Sequence, residues 1–153
     1  IPDSVGQLTQ LKDLNISSNG ITRLPHTFGM LVSLSTLELF PMCPQRHILR
    51  RVRTDKDFFC DLCNIRREPG LHQCCWRCNF DVCSMCVATK QLVSLPENFG
   101  SLRSLKTMCI VNHRLMSLPE SFGQLAMLQQ LDLSSNMLVE LPHSFVHLPM
   151  LQL

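Results

Sequence analysis

Hydrophobic positions return at a fixed interval through most of this chain. Leu8, Leu11, Leu14 and Ile16 are followed by an asparagine, Asn19, and then Ile21; Leu125, Leu128, Leu131 and Leu133 are followed by Asn136 and Leu138. A Leu-Pro dipeptide marks each unit at Leu24-Pro25, Leu95-Pro96, Leu118-Pro119 and Leu141-Pro142, with Ile1-Pro2 as a variant, and most neighbours stand 23 residues apart. The core of each unit reads apolar, polar, apolar, which predicts a short strand whose leucines face one way. Such a unit cannot bury its apolar face alone, so copies must stack. The asparagine turns the chain out of the strand. The Leu-Pro-x-x-Phe segment returns it, because proline forbids a regular strand or long helix there. The fold expected is an α/β-type solenoid: a curved parallel sheet with an irregular convex side.

One interval breaks the rule. Leu24 to Leu95 is 71 residues, one repeat of 23 plus 48 more. The second unit begins normally through Leu39 and then meets Phe40-Pro41-Met42 where a turn is expected; Leu92 matches Ile21, and Lys90 falls at the asparagine position. The extra residues therefore enter between a strand and its turn. Both ends of such an insert must lie close together, as the ends of a folded domain do. The organisation expected is repeats over 1–40, an inserted module over 41–89, and repeats over 90–153.

The repeats resemble the intracellular leucine-rich repeats of Ras-group and scribble-like scaffolds. That resemblance implies a protein partner on the concave face. The outward strand positions there include Asp13, Asn15, Glu38, Phe40, Cys109, Gln130 and Asp132. It also implies a cytoplasmic, signalling context. The chain begins and ends in mid-repeat, which reads as a fragment. The net charge of +2 is too small to point to nucleic acid or a membrane surface. No apolar run approaches the roughly 20 residues a membrane helix needs. Most of the basic character lies in the insert, where Arg50, Arg51 and Arg53 form a run best read as a solvated face.

The insert has a different chemistry. It holds eight of the nine cysteines, with three C-x-x-C pairs in series: Cys60/Cys63, Cys75/Cys78 and Cys83/Cys86. Thiolates two residues apart can grip one tetrahedral zinc ion. A disulfide framework would require an oxidising compartment. Redox chemistry would require a thioredoxin-like helix start, which this sequence lacks. Cys109 stands apart as a bystander.

From His47 the spacing runs x12 to Cys60, then x2, x11, x2, x4 and x2 to Cys86. This resembles the phorbol-ester-type zinc domains of protein kinase C and the divergent Cys/His-rich domains of plants, with Cys83 in place of a histidine. The resemblance implies two structural zinc ions with interleaved ligands: Cys60, Cys63, Cys83 and Cys86 on one, and His47, Cys75 and Cys78 on the other. The family's last cysteine falls at Ser94, so the second site needs another ligand. Cys43, four residues before His47, is preferred over Cys74 and His72. Trp76 and Phe80 are expected to pack between the metals, and one of Phe58 and Phe59 to face out. Lipid binding is not expected, because the Asn64–Cys74 loop is short and charged. The stretch Phe80-Asp81-x-Cys83 also resembles ZZ-type fingers.

No catalytic constellation appears. The function expected is a non-enzymatic interaction scaffold. The alternative is a RING-like ubiquitin ligase that uses His72 as a ligand and the repeats as its substrate-binding surface.

Overall fold

The computed structural model describes residues 1–151 except Ser18, Pro41, Met42, Pro44, Arg46, Thr89 and Lys90. The expectations for Pro41, Met42 and Lys90, and the outer limits of the insert, therefore lie outside the described residues.

Four strands form a parallel sheet in the order β1-β2-β8-β9: β1 (Asp13–Asn15), β2 (Thr36–Leu39), β8 (Thr107–Ile110) and β9 (Gln130–Asp132). The register repeats the sequence spacing. Asp13 pairs with Thr36, Thr36 with Thr107, and Thr107 with Gln130. The strand before the insert thus lies directly beside the strand after it, and the repeat continues across the interruption. Leu37, Leu39, Met108 and Ile110 are fully enclosed beneath this sheet. Leu31, Leu34, Leu102, Leu105, Leu125 and Leu128 extend the same core.

The return segments are more regular than the sequence suggests. Short 3-10 helices run over Asp3–Gln7, His26–Met30, Phe99–Ser101, Glu120–Gln124 and His143–His147. Four of them follow directly on a proline, whose fixed φ suits the approach to a helical turn. They carry the phenylalanines into one stack: Phe28, Phe99, Phe122 and Phe145 lie 6.0–6.2 Å apart, centroid to centroid, with rings nearly parallel. The glycine after Phe28, Phe99 and Phe122 allows this approach. A Cβ on Gly100 would lie 1.8 Å from the Ser121 carbonyl oxygen, and one on Gly123 would lie 2.1 Å from that of Ser144. Val146 takes the glycine position in the last described repeat and is 82% exposed.

Asn136 closes its turn as expected. Its Nδ2 donates to the carbonyls of Ile110 and Leu133, and its Oδ1 accepts from the Leu115 N–H. One repeat earlier, His113 Nδ1 accepts from the Leu92 N–H in the same way. The histidine therefore takes over part of the asparagine's role. Asn112, just before it, adds a left-handed backbone at φ 61° to the turn.

The insert is built from β3 (Arg50–Thr54), β4 (Phe58–Phe59), β5 (Arg66–Arg67), β6 (Gly70–Cys75), β7 (Phe80–Cys83) and the one-turn helix α1 (Ser84–Ala88). Strands β3, β6 and β7 form an antiparallel sheet, while β4 and β5 make a separate ribbon. Arg50, Arg51 and Arg53 are exposed, as a solvated run should be. A cavity of about 510 Å³ lies where the insert meets the repeats, lined by Ile16, Leu39 and Phe40 on one side and by Leu49, Leu62 and Val82 on the other.

Candidate metal centres

The insert's cysteines are placed by turns. Each of the first two C-x-x-C pairs is followed by an asparagine, Asn64 or Asn79, at φ 55° and 50°. This conformation costs asparagine little and folds the pair back as a knuckle. The Asn64 N–H donates to the Cys60 carbonyl and the Cys78 N–H to that of Cys75. The third pair is positioned by the end of β7 and the turn of α1. The sequence held this signal in the Cys-Asn steps, which spacing alone passed over.

Two clusters result. Cys60, Cys63, Cys83 and Cys86 form the first, with Cys63 and Cys83 Sγ atoms 4.0 Å apart. Cys43, His47, Cys75 and Cys78 form the second. In that group His47 Nδ1 lies 3.0 Å from Cys78 Sγ, 3.6 Å from Cys43 Sγ and 3.6 Å from Cys75 Sγ, and the two sulfurs of Cys43 and Cys78 are 3.5 Å apart. All eight residues singled out as ligands fall into these groups, in the interleaved pattern. Cys43 joins the second cluster through a backbone bond from its N–H to the His47 carbonyl. His72 and Cys74, its rivals, lie with Asp81 in a third group.

The separations of His47 from Cys43 and Cys75 and of Cys43 from Cys78, 3.5–3.6 Å, match those around a tetrahedral ion. With metal–sulfur bonds of about 2.3 Å and metal–nitrogen bonds of about 2.0 Å, ligand atoms on one centre stand about 3.5–3.8 Å apart. Among the described residues no disulfide joins any of the nine cysteines. The clustered thiols also oppose one another's ionisation. Cys78 is pushed up to about 12 by burial and by the neighbouring Cys43 and Cys75 thiols, and Cys86 to about 12 by burial and by Cys63, Cys83 and Cys60. Burial also opposes ionisation of Cys63. It is outweighed by bonds from the Ile65 backbone, Cys60 and Arg67, which bring the thiol down to about 6. Four thiolates cannot share so small a volume unless a cation neutralises them. Soft sulfur with one imidazole is the donor chemistry of zinc.

Charge is also balanced from outside the first cluster. Arg67 Nη2 donates to Cys63 Sγ at 3.6 Å. The Asp81 N–H donates to Asp61 Oδ2 at 2.6 Å, and the Asp61 N–H to the Asp81 carbonyl, which clips the first knuckle onto β7. Sequence spacing identified neither Arg67 nor this clip.

The aromatic residues divide. Phe80 packs against the insert's core. Trp76, expected between the metals, is 75% exposed with the Arg50 guanidinium 5.8 Å over its ring. It follows directly on Cys75 at the end of β6, in the turn leading to β7, which carries it outward. Phe58 is half-buried against the His72 ring while Phe59 faces solvent.

The positions singled out for a partner share the outward side of the parallel sheet. Asp13, Asn15, Gln130 and Asp132 are exposed, whereas Glu38, Phe40 and Cys109 are half-buried. Asn15 Nδ2 donates to Glu38 Oε2 at 2.8 Å. The Cys109 thiol is held above its ordinary range by burial and by Asp132 and Glu38, and it lies outside all three ligand groups. No helix among the described residues is long and apolar enough to cross a membrane.

A family model described as Leucine Rich Repeat matches residues 10–31 and 127–148. No curated protein matches the chain. Among solved structures it is similar to a leucine-rich-repeat protein of Leptospira interrogans, with 22% identity and a TM-score of 0.58 over 99% of this chain. The chain spans about a third (32%) of that protein's length. With the 23-residue register and the phenylalanine stack, these matches show that the chain carries leucine-rich repeats and has the leucine-rich-repeat fold.

Proposed function

We propose that this chain is a non-enzymatic protein-protein interaction scaffold, acting in a cytoplasmic, signalling setting. The curved repeat sheet takes a protein partner on its concave face, and the insert is a module held by two structural zinc ions. Leucine-rich-repeat proteins commonly act in protein-protein interaction, which supports the general reading. The observation that carries it for this chain is the outward sheet face. Acidic and amide side chains at Asp13, Asn15, Glu38, Gln130 and Asp132 sit there in register, above a core that needs none of them.

Zinc is the ion of choice because each cluster supplies four protein ligands, four cysteines in one and three cysteines with a histidine in the other. A closed ligand set of this kind stabilises folds and leaves no position for a reacting water. His47 and Cys43 would hold the second ion with Cys75 and Cys78. The ubiquitin-ligase alternative requires His72 as a ligand, and the grouping of His72 with Cys74 and Asp81 weighs against it.

The test is direct binding. A partner found by proximity labelling in cells should bind the purified chain in calorimetry, and Glu38→Lys with Asp132→Lys should weaken that binding at least tenfold while metal content stays unchanged. Ubiquitin transfer by the purified chain that Cys60→Ala abolishes would contradict the scaffold reading and favour the ligase.

A further inference from the structure

The third group is separate from the two centres above. His72 and Cys74 are alternate residues of β6, so their side chains leave the same face. Asp81 is the registered partner of Cys74 on β7 and joins them there. One nitrogen of His72, the sulfur of Cys74 and one oxygen of Asp81 all lie within 4.8 Å of one another. The His72 side chain is 6% exposed and that of Asp81 23%. This imidazole, thiol and carboxylate are brought together on a strand pair that needs none of them for its backbone bonds.

Two explanations that invoke no ligand fit poorly. An ionic bond between imidazolium and carboxylate draws the atoms to about 2.7–2.9 Å, yet His72 Nε2 and Asp81 Oδ1 stand 3.3 Å apart. A Cys-His-Asp nucleophile needs a histidine nitrogen turned to the sulfur, but Nε2 faces Asp81 and Nδ1 lies 3.5 Å from the Gly70 carbonyl oxygen. The second arrangement has a different use. A histidine that donates Nδ1–H to a backbone carbonyl presents the Nε2 lone pair to a metal, and here that lone pair would otherwise meet a carboxylate oxygen. Two ligand atoms about 2.0–2.1 Å from one tetrahedral ion stand about 3.3 Å apart. The Phe58 ring, 4.2 Å from that of His72, fixes the imidazole plane.

We propose that His72, Cys74 and Asp81 form a third site for a divalent transition-metal ion of the zinc class, bound through three protein ligands with water completing the coordination. Nitrogen, sulfur and oxygen donors together suit zinc or cobalt rather than magnesium or calcium. With one ligand fewer than either four-ligand centre, this site should be the weakest of the three and the first to lose its ion.

The experiment is elemental analysis of the full chain purified from zinc-supplemented medium. Wild type should carry about three zinc ions per chain, and Asp81→Asn and Cys74→Ser should each carry about two. A wild-type ratio of two overturns the third site and leaves the two structural centres standing, whereas a ratio below two contradicts those centres as well. A ratio of three that neither variant lowers also overturns it. A second measurement does not depend on the variants folding. Wild type loaded with two zinc equivalents and titrated with Co2+ should take up one equivalent and develop a thiolate-to-cobalt charge-transfer band. The absence of that band overturns the site.

Discussion

The repeats and the insert share one chain and bury different kinds of side chain. In the repeats, eighteen buried apolar side chains among the described residues, from Leu24 to Leu128, make a continuous core, aligned by the phenylalanine stack. Among the described residues the buried core of the insert has six members, and four of them are cysteines: Cys43, Cys60, Cys75 and Cys83, with Leu49 and Val82 aliphatic. A segment of about 45 residues seldom holds its fold on so little apolar surface without disulfides or metals. The comparison shows where each part is vulnerable. The repeats depend on shape and volume, and the insert, on the function proposed above, depends on cations that neutralise its clustered sulfurs.

The sharpest break in that contrast removes a ligand. His47→Ala should lower the zinc content by at least one equivalent relative to wild type, with further loss as much of β3, β6 and β7, which carry the third group, unfolds, while the repeats stay folded. Binding of a structural zinc is worth about 10–16 kcal/mol in small metal-dependent domains, so a lost ion outweighs any single side chain in this molecule. Metal analysis with circular dichroism of wild type and variant would check it.

The reverse experiment strikes the repeats. Phe99 lies in the middle of the ring stack and is fully buried. Phe99→Ala should cost about 3–5 kcal/mol in denaturant unfolding of the repeats and leave metal content unchanged. A loss of zinc in this variant would show that the two regions are not independent.

A smaller effect sharpens the comparison at the junction. Because His113 Nδ1 accepts from Leu92, the proton sits on Nε2, which is buried and has no partner among the described residues. Burial brings this imidazole down to about 4, opposed only by the Leu39 backbone, whose carbonyl already accepts from the Val111 N–H. The unfolded chain takes up a proton near pH 6.5 and the folded one only near 4. The stability held by the neutral ring is therefore complete above 6.5 and lost as pH falls toward 4, by on the order of 3 kcal/mol. His113→Asn should remove this difference and add about 1 kcal/mol at neutral pH, by supplying the donors that Asn136 uses. Melting curves of both proteins between about pH 7 and pH 5 would show the gap widening.

The smallest effect should come from Trp76. Lying 75% exposed beneath Arg50, it contributes an exposed cation–π contact of about 0.5–1 kcal/mol. Trp76→Ala should leave metal content intact and shift unfolding by no more than that.

The two regions also differ in how far they can be read before folding. The interval of 23 residues, and the single interval of 71, specify every strand pair of the parallel sheet. A periodic core is a linear code, since each inward leucine meets its counterpart one repeat away. The insert is not linear. Spacing identified the C-x-x-C pairs, and their interleaving came from a family resemblance. Neither could show that β6 carries Cys75 into one centre and turns Cys74, its neighbour, toward Asp81. Alternation along a strand separates adjacent residues onto opposite faces, and that separation needs the strand to be known. Trp76 faces solvent for the same reason: its direction follows from the turn over residues 76–79, not from its hydrophobicity.

On the function proposed above, metal holds the insert and apolar stacking holds the repeats. Hydrogen–deuterium exchange of the zinc-loaded chain, before and after a strong chelator, tests this most directly. Protection should collapse across β3, β6, β7 and α1 and persist in β2, β8 and the 3-10 helices that carry Phe99 and Phe122. Unchanged exchange in the insert after complete metal removal would contradict the account.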